Sequence, residues 1–146
     1  KSSVYRSNET GKKFISLDLC LDFEQTKRVV LAPSLDCPLS SLEEAVGLFQ
    51  SFEKKVSVIQ DIAGMILTRI VAMLVNESSL IVEENIADAD SVNTAMRKGL
   101  NYPLGPLEWA EKWGILLVAQ TLDNLFKVYG KRYQKSPWLK QGGNIN

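Results

Sequence analysis

Asp61-Ile-Ala-Gly-Met-Ile-Leu-Thr-Arg-Ile-Val-Ala-Met-Leu-Val-Asn-Glu-Ser-Ser-Leu-Ile-Val-Glu-Glu-Asn-Ile86 carries a helical period throughout. It predicts a helix with Asp61 as N-cap, running through Asn76 and Glu77 to about Ile86. The first half is apolar nearly all round, the pattern of a central helix packed on several sides. Gly64, Thr68 and Ala72 recur every fourth residue, so one stripe is small enough for another helix to approach closely. The apolar core from Ile62 to Val75 is interrupted by Thr68 and Arg69. It is shorter than the roughly 18–20 residues of a membrane span, so it reads as buried protein core.

The segments that follow also read as helix. Asp88 and Asp90 offer caps for a helix carrying Val92, Ala95 and Met96, with Gly99 as its C′ residue. Leu100 to Gly105 is a turn, and Pro106 is placed as N1 of a helix presenting Leu107, Trp109, Ala110 and Trp113 and stopping at Gly114. A long helix with Val118, Leu122, Leu125, Phe126 and Tyr129 on one stripe ends at Gly130. Ser136-Pro137-Trp138 supplies the cap and first turn of a short terminal helix, closed by Gly142-Gly143.

Before Asp61 the pattern is strand-like. Phe14 to Leu21 alternates in part, Val29-Val30-Leu31 is a β-branched run closed by Pro33, and Lys55 to Ile59 is a third strand. Between the last two lies a helix beginning at Ser41, where Ser41-Leu42-Glu43-Glu44 fits a capping box. Residues 1–13 are polar and read as a loosely ordered lead-in. The division is therefore 1–60, a small α/β part, and 61–146, a helical domain.

Composition removes much enzymology. Of 146 residues 45% are hydrophobic, and 17 basic residues balance 17 acidic ones. A chain of this size buries roughly 70% of its unfolded surface and needs no metal or disulfide to fold. Zero net charge argues against a nucleic-acid partner. There is no histidine, so no His base, Ser–His or Cys–His pair, or His metal ligand exists. The two cysteines, Cys20 and Cys37, are too few for a structural zinc and are expected as reduced thiols of a cytoplasmic protein. Neither Gly-x-Gly-x-x-Gly nor a P-loop is present. The start at Lys1-Ser2-Ser3-Val4, without Met or secretory signal, suggests a piece of a longer protein.

Arg69 stands in an apolar helix, with Glu77 two turns on. The pair reads as a buried ion pair, or Arg69 as a contact to a ligand phosphate. Thr68 and Asn76 read as hydrogen-bonding core residues, since no base is present to activate them. Tyr102, Trp109, Trp113 and Trp138 are core aromatics by spacing, or a platform for an adenine. Lys127, Lys131, Arg132, Lys135 and Lys140 make a basic tail, a solvated face or a dock for an anion.

Four elements in order carry a resemblance: Asp61-Ile62-Ala63-Gly64-Met65-Ile66-Leu67-Thr68-Arg69, then Asn76-Glu77, then Thr94-Ala95-Met96 leading to Asn101-Tyr102-Pro103-Leu104-Gly105-Pro106-Leu107-Glu108, then Tyr133 with Ser136-Pro137. They resemble the C-terminal helical domain of the 3-hydroxyacyl-CoA dehydrogenase family, nearest to the second, tandem copy in bacterial 3-hydroxybutyryl-CoA dehydrogenases. Residues 14–60 then resemble the tail of the family's nucleotide-binding domain. The fold class implied is mainly α: this helical domain, preceded by a Rossmann-type remnant of about three strands and one helix.

The resemblance implies oxidation of an L-3-hydroxyacyl-CoA by NAD, with a His base oriented by a Glu and supported by an Asn. In this chain those positions hold Asp18, Val30 and Thr68, so no catalytic residue is expected here, and NAD is expected only in the full-length enzyme. The positions that match the family, Gly64, Arg69, Glu77, Tyr102, Pro103, Gly105 and Pro106, together with Thr68 and Asn76, are candidates for scaffold or acyl-CoA pocket. The implied role is a non-catalytic dimerisation domain of a dehydrogenase in fatty-acid or aromatic-acid breakdown, partnered by the missing nucleotide-binding domain. The alternatives are a stand-alone acyl-CoA-binding or assembly module, and an enzyme running on carboxylates or cysteines. Neither metal nor membrane is expected.

Overall fold

The structure, a computed structural model, describes residues 3–143. It divides into two compact units, Lys1–Thr68 and Arg69–Asn146. In order, the elements are α1 (Ser3–Thr10), β1 (Ile15–Leu17), β2 (Arg28–Pro33), α2 (Leu39–Ser51), β3 (Lys55–Val58), α3 (Leu67–Glu83), α4 (Ala89–Leu100), α5 (Pro106–Trp113), α6 (Ile115–Tyr129), a 3₁₀ turn (Lys131–Tyr133) and α7 (Pro137–Lys140). The mainly helical class with a small sheet is as the sequence indicated.

In the first unit β2 is the central strand, which explains its continuous run of apolar residues. It pairs antiparallel with β1, Leu17 opposite Leu31, and parallel with β3, Leu31 opposite Val58. Val29, Leu31 and Ala32 are buried. A parallel pair requires a crossover, and α2 supplies it between β2 and β3. α2 begins at Leu39 with Pro38 as N-cap and no side-chain cap. Ser41 is by then already helical, so the Ser41–Glu44 capping box does not form at the helix start. Residues 3–10, expected as loose lead-in, are the helix α1. Gly11, at φ +67 and with its N–H on the Ser7 carbonyl at 2.8 Å, closes it.

α3 starts at Leu67, six residues after the expected Asp61 cap. Gly64 consequently lies in the preceding turn, at φ +79, and the stripe Gly64–Thr68–Ala72 is not a helical stripe. Nor is α3 enclosed on several sides: Val71, Ala72, Val75, Asn76, Ser78 and Ser79 are buried, whereas Ile70 is 48% exposed.

In the second unit Asp88 caps α4 as expected, accepting from the Ser91 N–H at 2.7 Å. α4 runs past Gly99 to Leu100 and ends on Asn101 in the left-handed region, φ +56, which asparagine tolerates and which frees Gly99 of the task. Pro106 is N1 of α5, Gly114 ends α5, and Gly130 ends α6. Val118, Leu122 and Leu125 of α6 are buried as expected, but Phe126 and Tyr129 are 41% and 42% exposed. Ser136 caps α7, accepting from the Leu139 N–H at 3.2 Å. Among the described residues no helix is long and apolar enough to cross a membrane.

Two outcomes follow from these caps and turns. A Cβ on Gly105 would collide with the Asn93 side chain, so Gly105→Ala should cost about 1–3 kcal/mol, read as a lowered denaturant midpoint at unchanged m-value. The Ser91 backbone N–H, and then its hydroxyl, hold the Asp88 carboxyl below its ordinary 3.8. A lowered value means the cap's stabilisation is complete above pH 3.8 and is lost as pH falls through the lowered value. An NMR titration of the Asp88 carboxyl should therefore give a midpoint below 3.8.

Candidate functional site

Asp18, Val30 and Thr68 are far apart in sequence and meet in the first unit. β1 ends at Leu17, and the Asp18 N–H still donates to the Val30 carbonyl of β2 at 3.0 Å. Asp18 is 4% exposed. Its Oδ2 accepts from the backbone N–H of Ile66 at 2.9 Å and of Leu67 at 2.7 Å. Its Oδ1 accepts from the Thr68 N–H at 3.1 Å, the Thr68 hydroxyl at 2.7 Å and the Leu19 N–H at 2.8 Å. These donors include the orphan amides that begin α3, where the helix dipole favours an anion. Asp18, not Asp61, is therefore the cap of this helix. The side chain of Val30 is apolar and contributes only its backbone.

The segment before the helix is a reversal. Gly64 and Met65 both have left-handed backbone, φ +79 and +43, and Met65 is buried.

The other candidates lie in the second unit, and most of them serve its packing. The Arg69 guanidinium lies over the Tyr129 ring at 4.5 Å and over the Tyr133 ring at 5.8 Å, each measured to the ring centroid. Glu77 is exposed, so the expected buried Arg69–Glu77 pair does not exist. Asn76, 3% exposed, accepts from the Ser136 N–H at 2.9 Å and donates to the Gln134 carbonyl at 3.2 Å. The Ser79 hydroxyl bonds that of Ser136 at 2.7 Å. Thus α3 holds the start of α7 through buried polar groups whose bonds are made.

The Tyr102-Pro103-Leu104-Gly105-Pro106 turn is fixed from two sides. Glu108 accepts from the Gly105 N–H at 2.7 Å while pairing with Arg97 at 2.7 Å, and Asn93 accepts from the Leu107 N–H at 3.0 Å. Gly105 and Pro106 are buried, Tyr102 is half-buried and Pro103 is exposed. Tyr102 and Trp109 pack ring against ring at 5.4 Å. Trp113 and Trp138 join no aromatic pair among the described residues, so the four rings do not form one platform. In the basic tail Lys135 pairs with Asp123 at 2.7 Å. Cys20 and Cys37 are free thiols, and the Cys20 thiol bonds the Thr26 hydroxyl at 3.3 Å.

Sequence reading did not find Asn93, Arg97, Glu108, Ser79, Tyr129 or Tyr133 as partners. Only Glu108 carried a local signal, three residues after the N-cap Gly105.

Among the described residues there is no group of three or more metal-ligating side chains. The β2–α2 connection is Pro33-Ser34-Leu35-Asp36-Cys37-Pro38. It has prolines at both ends and no glycine, whereas a pyrophosphate needs close approach to glycine backbone at a helix N-terminus.

Residues 64–145 match the family model of the 3-hydroxyacyl-CoA dehydrogenase C-terminal domain, and residues 1–62 that of the 3-hydroxybutyryl-CoA dehydrogenase reduced Rossmann-fold domain. The chain belongs to the 3-hydroxyacyl-CoA dehydrogenase family. It is 36% identical over 116 residues to the 3-hydroxyadipyl-CoA dehydrogenase of Escherichia coli K12, a match covering 79% of this chain and 24% of that protein. The crystal structure of 3-hydroxybutyryl-CoA dehydrogenase from Escherichia coli K12 superimposes with TM-score 0.89 at 30% identity, over 98% of this chain and 30% of that one. The probable 3-hydroxybutyryl-CoA dehydrogenase of Bacillus subtilis is 24% identical over 99 residues, 67% of this chain and 34% of that protein. The chain thus spans a quarter to a third of the length of these relatives.

Denaturant melts test the assignments. Asp18→Ala should lose about 2 kcal/mol, since a cap and a buried acceptor are both removed. Glu77→Leu should stay within about 0.5 kcal/mol of the parent, the range of an exposed position.

Proposed function

We propose that this chain is a non-catalytic C-terminal portion of an NAD-dependent 3-hydroxyacyl-CoA dehydrogenase, serving as scaffold and dimerisation domain. The observation that carries this reading is the occupancy of Asp18. A general base must offer a lone pair to the substrate hydroxyl and then hold its proton. Asp18 is buried, and both its carboxylate oxygens accept hydrogen bonds from the polypeptide itself. Val30 has no polar side-chain atom to orient a base, and the Thr68 hydroxyl donates to Asp18 rather than outward. Hydride transfer further requires a bound nicotinamide, for which the glycine-poor β2–α2 connection gives no cradle. NAD and the catalytic groups belong, on this reading, to the nucleotide-binding domain of the whole enzyme.

The scaffold role is supported by what the matching positions do. Asn76, Gly105 and Pro106 make caps, turns and buried polar ties in the second unit, and Arg69 packs over Tyr129. Dimerisation is supported by large apolar side chains left at the second unit's surface, Ile70, Leu116, Leu117 and Val128, which are 48% to 66% exposed. A wall of the acyl-CoA pocket is a further service such a domain gives the whole enzyme.

Two measurements check this. Steady-state assay with acetoacetyl-CoA and NADH should show no turnover by the chain, and robust turnover would refute the non-catalytic reading. Sedimentation equilibrium should show a dimer at micromolar concentration, and a monomer would remove the dimerisation role.

A further inference from the structure

Residues 61–66 have a helical sequence and are folded as a reversal. No proline lies between Asp61 and Leu67, so nothing covalent stops a helix from running through, and Gly64 merely weakens one. The observed turn asks more of the chain. Met65 holds a left-handed backbone, φ +43, that residues with a side chain rarely adopt, and does so while buried. In a helix starting at Asp61 the N–H groups of Ile66, Leu67 and Thr68 would donate to the carbonyls of Ile62, Ala63 and Gly64. Those are the same three N–H groups that the Asp18 carboxylate takes. The two arrangements compete for identical donors and exclude one another.

We propose that residues 61–68 form a two-state segment with Asp18 as its latch. Latched, the three amides end on the carboxylate and the chain turns back at Gly64–Met65. Unlatched, α3 grows toward Asp61, and Ile62, Ile66 and Ile70 fall on one stripe of the longer helix. Those three side chains are 39%, 40% and 48% exposed in the latched form. A histidine at position 18 could not serve as this latch, because a neutral imidazole has one acceptor nitrogen for three donors. The latch stands on hydrogen-bond geometry alone and is independent of whether the chain turns over substrate.

The test is NMR of the full chain, parent against Asp18→Ala, reading backbone chemical shifts over residues 61–68 and amide exchange at 66–68. The parent should show left-handed shifts at Gly64 and Met65. In Asp18→Ala these should move to helical values, far-UV circular dichroism should deepen, and the 66–68 amides should stay protected because they now bond Ile62 to Gly64. Left-handed shifts that persist without the carboxylate would overturn the latch, as would exchange at 66–68 faster by about tenfold with no gain in helix, which is simple fraying. Should Asp18→Ala not fold, Gly64→Ala gives the same reading with Asp18 in place. It disfavours the turn and favours the helix, so residues 61–66 should shift toward helical values, and an unchanged turn would refute the proposal.

Discussion

A carboxylate buried from water is costly unless its lone pairs are used, and the first amides of a helix are costly unless something accepts from them. In the first unit each of these problems answers the other. Asp18, carried just past the end of β1, places both oxygens on the N–H groups of Ile66, Leu67 and Thr68 and on the Thr68 hydroxyl. β1 ends one residue before Asp18, yet the Asp18 N–H remains anchored to the Val30 carbonyl. The helix starts late because its cap comes from the strand and not from the residues before it.

The second unit applies the same rule with neutral groups. Asn76 is buried in α3 and would be a liability there, but its two side-chain ends meet the Ser136 N–H and the Gln134 carbonyl. Ser136 then caps α7 and bonds Ser79, so one serine joins two helices. At the other turn Asn93 and Glu108 divide the work of holding the start of α5, and the Asn93 side chain occupies the space that a Cβ on Gly105 would need. Positions that match the family are in large part explained by such bonds and by close packing, which is what a scaffold requires.

What separates the two halves of the reading is range. Caps formed within three residues, Asp88 on Ser91 and Ser136 on Leu139, were visible in the sequence because donor and acceptor are neighbours in the chain. Pro106 as N1 and the stops at Gly114 and Gly130 were visible for the same reason. Misplaced features were those decided at a distance. The start of α3 moved by six residues, Gly64 left the helix, and Glu77 was found exposed with no tie to Arg69. The helical period of α3 marks an apolar face, but it does not say whether the protein covers that face, and Ile70 stays half exposed.

The sequence by itself determined the class: three short strands around one crossover helix, then a run of amphipathic helices broken at glycine and proline, with no histidine and no glycine-rich phosphate loop. It also located the three positions Asp18, Val30 and Thr68 through a resemblance. Only the tertiary structure decided that these residues meet, and that Asp18 acts as a helix cap. A hydrogen bond between residues 48 to 50 apart leaves no periodic trace in the chain. Its donors are backbone N–H groups that every residue but proline possesses, so only folding selects which of them the carboxylate reaches.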